Sequence, residues 1–82
     1  MRDIDIMADR LLQLSEQKSI SVRKLAQCCG INETTLYMAT ERRSELSAKN
    51  IRKICRAMHV SADWILGLAD SMNGGITKQT NR

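Results

Sequence analysis

Three cysteines, one histidine and a run of cations are the side chains here with the most obvious chemistry. Cys55 and His59 stand four residues apart, a spacing that can put two metal ligands on one helical face, and Cys28 with Cys29 nominally completes a set of four. The paired Cys-x-x-Cys spacing of structural zinc sites is absent, however. Cys29 and Cys55 fall at core phases of their helices, where a thiol acts as a small buried hydrophobe, while Cys28 points outward and is open to oxidants. Adjacent cysteines bond to each other only through a strained ring, so the three thiols form no disulfide framework and fit a reducing cytoplasm. His59 has no acid or nucleophile at motif spacing, and the serines are best explained as helix caps. The expectation is no enzymatic activity, no metal, no cofactor and no small-molecule substrate.

The cations are more telling. Residues 42 to 56 hold Arg42, Arg43, Lys49, Arg52, Lys53 and Arg56 against Glu45 alone. The whole chain carries 13 Lys and Arg against 9 Asp and Glu, a formal net charge of +4, so the positive excess sits in that one stretch. Such a balance suits a nucleic-acid partner. The first twenty residues contain Asp3, Asp5, Asp9 and Glu16 and no continuous apolar segment, so they do not read as a secretory signal. No stretch approaches the ~20 apolar residues of a membrane span. A cytoplasmic protein with no membrane contact is expected.

The elements that must position these groups are helices. The chain has no proline and only two aromatic residues, Tyr37 and Trp64, which leaves little to build a sheet from, whereas helix-period apolar spacing recurs throughout. The 82 residues make one compact core. Ile4, Met7, Leu11 and Leu14 give one apolar face to a first helix starting after Asp3 or Asp5 and ending near Lys18. Ser21 caps a short second helix with Leu25, Ala26 and Cys29 inward, ended by Gly30. Asn32 caps a third, with Leu36 and Ala39 inward and Glu33 at the positive end of its dipole. Ser47 and Ser61 open a fourth helix, faced by Ile51, Ile54, Cys55 and Met58, and a fifth containing Trp64, Ile65 and Leu68. Residues 1–70 form the domain, and 71–82 read as a polar, flexible tail.

Two short helices joined at Gly30 to Asn32 match a helix-turn-helix unit over residues 21–40. With Arg10-Leu11, Leu14, Ser21, Leu25-Ala26, Gly30-Ile31, Thr35-Leu36, Ile54, Ala57, Val60-Ser61 and Asp63 to Gly67, the chain resembles the Xre family of bacterial and phage regulators. That group includes Cro and the lambda-type repressors, and the match runs without gaps from Arg10 to Leu68. The resemblance implies an all-α, five-helix lambda-repressor-like DNA-binding domain. Its third helix would lie in the major groove, and a homodimer would read a palindromic operator with half-sites about 34 Å apart. The function implied is a sequence-specific transcriptional regulator, a repressor that occupies a promoter.

On a helical wheel Thr34, Tyr37, Met38 and Glu41 form the outer stripe of the third helix, with Glu33 and Thr35 at its edges. Glu33, Thr34, Thr35, Tyr37 and Met38 are the candidate base contacts. This stripe lacks Arg, Lys, Asn and Gln, so the strong bidentate readings of guanine and adenine are unavailable, and the expected readout is modest and favours apolar contacts. Thymine methyls can pack on Thr34 or Met38, and Glu33 can accept from a cytosine amine or simply satisfy the helix terminus. Phosphate contacts carried over from the resemblance are Ser21, Arg42, Arg43, Ser44 and Lys49, with Arg43 foremost. Trp64, Ile65, Leu66 and Leu68 exceed what one face of a short helix needs and are candidates for a dimer contact.

Several positions depart from the family pattern. Val22 replaces a frequent phosphate-binding Gln. Ser15 and Thr40 replace a buried Arg–Glu pair, both charges going together. Arg42 and Leu46 stand where a Gly and a Pro are usual, which predicts a different path for that loop. Val22, Glu33 and Glu41 also keep a second reading in play, a protein-interaction module such as an antitoxin or anti-repressor partner that keeps the fold and binds DNA weakly.

Overall fold

The computed structural model describes residues 2–72, and among them every regular element is a helix: α1 Asp3–Gln17, α2 Val22–Cys29, α3 Glu33–Thr40, α4 Ala48–Met58 and α5 Ala62–Ile65. Four of the five begin at the expected cap. The Ser21 hydroxyl accepts from the Lys24 amide at 3.1 Å, the Asn32 side chain from Thr35 at 3.2 Å, Ser47 from Asn50 at 3.2 Å, and Ser61 from Asp63 at 3.1 Å. Each bond satisfies an amide that the helix itself leaves without a partner. α1 begins earlier than expected. Arg2 is its N-cap, and Asp5 lies inside the first turn, where its carboxylate accepts the Arg2 backbone N–H at 3.3 Å.

The helix ends follow one physical scheme. In the Schellman closure a left-handed residue after the helix sends its amide and the next one back to two orphan carbonyls. α2 closes so at Gly30 (φ +72°), with Gly30 N–H on Gln27 O and Ile31 N–H on Ala26 O. α1 uses Ser19 (φ +56°), with Ser19 N–H on Glu16 O and Ile20 N–H on Ser15 O. α3 uses Arg42 (φ +62°), with Arg42 N–H on Ala39 O and Arg43 N–H on Met38 O. The loop after α3 therefore makes the turn that glycine ordinarily makes, with an arginine in its place. α4 ends at left-handed His59.

The core is shared by all five helices. Met7, Leu11 and Leu14 of α1 meet Leu25, Ala26 and Cys29 of α2, Leu36 and Ala39 of α3, Ile51 and Ile54 of α4, and Trp64 and Ile65 of α5. Cys55 and Met58, expected inward, are half-buried at its edge. The Ser15 hydroxyl donates to Ile20 O, and the Thr40 hydroxyl donates to Tyr37 O at 2.9 Å. These two neutral residues each find a partner locally, so neither depends on the other. The Leu46 N–H donates to the Met7 sulfur at 3.3 Å, a bond that a proline at 46 could not make.

α5 is a single turn, shorter than expected. Gly67 (φ +83°) follows it, and Leu68, whose N–H bonds back to Asp63 O at 2.7 Å, lies outside the helix and 75% exposed. Trp64 and Ile65 are 2% and 0% exposed within one chain, and the Arg10 guanidinium stacks 5.2 Å from the Trp64 ring centroid. Neither is left on the surface as a dimer contact, because both fill the space against α1. Ser71 and Met72 are continuous with the domain: Met72 packs on the core and its carbonyl accepts the Ser61 N–H at 3.0 Å. The rest of the expected tail, 73–82, lies outside the described residues.

The two glycines differ in what a side chain would meet. A Cβ on Gly67 would lie 2.6 Å from Ile6 Cγ2, whereas one on Gly30 has nothing within 4 Å. Gly67→Ala combines a clash with left-handed strain and should destabilise by about 2–3 kcal/mol, while Gly30→Ala incurs the strain alone, about 1 kcal/mol. Urea unfolding of the two variants checks the difference, and equal losses would remove the Ile6 contact from the account.

Candidate nucleic-acid interface

α3 is the element whose surface is least explained by packing. Leu36 and Ala39 are buried and tie it to α1 and α2, while Thr34, Tyr37, Met38 and Glu41 are exposed, with Glu33 and Thr35 half-buried at the margins. This is the stripe expected from the wheel. Exposed Tyr37 and Met38 leave apolar surface on a short helix, where it can meet a groove edge. Thr35 gives its amide to Asn32 and keeps its hydroxyl for other use.

The candidate phosphate ligands divide into two sets. Ser21 accepts from Lys24 and retains its own O–H as a donor. Arg43 is 68% exposed, held only by Glu41 at 3.6 Å, and Lys49 is exposed at the start of α4 with no polar partner among the described residues. Ser44 is half-buried between them. Arg42 differs from all of these. Its Nε lies 3.1 Å from Asp5 Oδ1 and its Nη2 bonds Asp9 Oδ1, so two of the three guanidinium nitrogens are engaged by α1. It fastens the loop after α3 to α1, a tie that the sequence expectation did not include. Arg2 adds a third contact to this cluster, 3.2 Å from Asp5 Oδ2.

The Asp5 carboxyl sits below its ordinary value of 3.8, first because of the Arg2 side-chain bond and further through the Arg2 amide and the charges of Arg2 and Arg42. A depressed acid pKa contributes stability above the unfolded value and loses it as pH falls through the folded one. The Asp5 contact with Arg2 is thus present at neutral pH. Burial pushes the Cys29 thiol up to about 11, with Cys28 and Cys55 adding to the effect, and burial also raises Cys55. Neither thiol is a ready nucleophile near pH 7. Among the described residues no group of three or more His, Cys, Asp or Glu could hold a metal ion, and no helix is long and apolar enough to cross a membrane.

Two contacts escaped the sequence. Arg23 Nε lies 3.4 Å from Glu33 Oε2, joining the first turns of α2 and α3, and the Lys53 ammonium donates to Gly30 O at 3.1 Å, closing the end of α2 from α4. Both cross between helices with no fixed spacing in the chain. Only the crossing angle of the helices reveals them.

A capped pair of short helices, the second with one face in the core and the other bare beside exposed cations, defines a helix-turn-helix DNA-binding domain. Residues 10–69 match the model of the Cro/C1-type HTH DNA-binding domain, and the chain belongs to that family. It is also similar to a solved structure described as a hypothetical transcription factor, NHTF, from Neisseria. That likeness has a TM-score of 0.72 and 25% sequence identity, and covers 79% of this chain and 75% of the other. Among curated proteins no sequence matches this one.

Ser19 and Arg42 occupy equivalent left-handed positions, but only Arg42 gains ion pairs there. Ser19→Gly should stabilise by about 0.5–1 kcal/mol through relief of strain. Arg42→Gly should fall short of that gain, because it also loses two partly exposed ion pairs and leaves Asp5 and Asp9 without their shared cation. Equal stabilisation by the two variants in a thermal melt would show that the clamp contributes nothing.

Proposed function

We propose that this DNA-binding regulator acts as a repressor in the cytoplasm, a homodimer that occupies a palindromic promoter site with α3 of each copy in the major groove. The observation that carries the reading is the bare outer stripe of α3 at Thr34, Tyr37 and Met38, flanked by the exposed cations Arg43 and Lys49. Base contacts then fall to Glu33, Thr34, Thr35, Tyr37 and Met38, and phosphate contacts to Ser21, Arg43, Ser44 and Lys49. The acidic residues that spoke for a protein-interaction module weigh less here, since Glu33 and Glu41 each have an arginine partner and Val22 packs against the core.

Leu66 and Leu68 support the dimer. They are exposed and, with Met7, Asp3 and Glu45, line a concavity of about 210 Å³, a partly apolar surface rimmed by two acids that a second copy can cover by a twofold contact. Sedimentation should give a dimer, shifted toward monomer by Leu68→Glu.

Titration with random-sequence duplex DNA across a salt series tests the reading. Affinity should fall steeply with salt, Arg43→Ala should lower the slope by about one unit, and Arg42→Gly should leave it unchanged. Failure to bind any duplex at low salt would favour the interaction module.

A further inference from the structure

The stripe of α3 offers no group able to grip one base with two parallel hydrogen bonds, but the neighbouring helix brings such a group to its edge. Arg23, in the first turn of α2, is 68% exposed, and its contact with Glu33 uses Nε. The Nη1 and Nη2 groups have no partner among the described residues, so the end of the fork is free. Glu33 is the first residue of α3, and its backbone is fixed by the Asn32 cap. The guanidinium is therefore paired with a carboxylate at the N-terminal end of α3, the end whose residues meet base edges in a helix-turn-helix complex.

The pairing bears on what Arg23 binds. A phosphate ligand gains nothing from an acidic neighbour, which weakens its pull on an anion. A base reader gains orientation from it, because the fork must present two N–H groups in one plane. Guanine, with O6 and N7 side by side on its major-groove edge, is the base that accepts two such bonds from arginine. The neutral pair also lowers the cost of placing the Glu33 carboxylate near phosphates. We propose that Arg23, positioned by Glu33, is the guanine-reading residue of this domain. The assignment rests on the reading of α3 as the helix that enters the groove.

The test selects bound duplexes from a random library with the unaltered chain and with Arg23→Lys, Arg23→Ala and Glu33→Gln, and measures each against a random-sequence duplex across a salt series. The unaltered chain should fix one guanine in each half-site. Arg23→Lys keeps the charge and loses the fork, so it should retain the random-duplex affinity and salt slope while its preference for that guanine falls on the order of ten- to hundredfold. Glu33→Gln should bind the random duplex at least as tightly and discriminate less. Selection of the same guanine by Arg23→Ala, with a salt slope reduced by about one, overturns the proposal and makes Arg23 a phosphate contact. Tight binding with no guanine fixed by the unaltered chain also overturns it while leaving the groove reading of α3 standing. No binding to any duplex at low salt overturns both.

Discussion

How α2 and α3 meet is set within three residues, and the DNA-facing surface depends on it. Gly30 turns the chain through a left-handed conformation that ends α2, Ile31 drops into the core, and Asn32 caps α3. Lys53 reaches from α4 to the Gly30 carbonyl, so the turn is held from both sides. Because the cap and the buried Ile31 follow the turn immediately, the rotation of α3 is fixed along with its direction. Leu36 and Ala39 face the core, and Thr34, Tyr37 and Met38 face out as a consequence.

Around that turn the molecule assigns its charges to different tasks. Arg42 sits in a left-handed conformation that disfavours any residue with a Cβ, and its contacts with Asp5 and Asp9 offset part of that strain while tying the loop to α1. Glu33 and Glu41, which would repel a polyanion, each have an arginine partner. Arg43, paired with Glu41 at 3.6 Å, and Lys49 remain as exposed cations of the loop and of the start of α4. A basic stretch in the sequence thus becomes, in the structure, one internal clamp, one helix-end donor and a smaller set of surface charges.

The helices and their caps were legible because they rest on local rules: Ser21, Asn32, Ser47 and Ser61 each lie just before an apolar period, and each caps. The outward stripe of α3 was legible for the same reason. What could not be read locally is where a side chain is used up by a distant partner. The contacts of Arg42 with Asp5 and Asp9, more than thirty residues away, are invisible to spacing. Trp64 and Ile65 looked like surplus apolar surface because nothing in a four-residue helix reveals that α1 covers them. The arginine at position 42 predicted a rerouted loop, yet the backbone takes the left-handed turn regardless, since the two amide bonds that close α3 need only that conformation and not a glycine.

The central claim is that the face formed by α3 and the loop after it receives duplex DNA. Spectra of ¹⁵N-labelled protein recorded while a random-sequence duplex is added at low salt test it most directly. The account predicts that the amides of Glu33 to Met38 and of Arg43 and Ser44 shift first and most, with Leu66 and Leu68 little affected. Shifts confined to the Leu66–Leu68 face, or no shifts at any ratio, would contradict it.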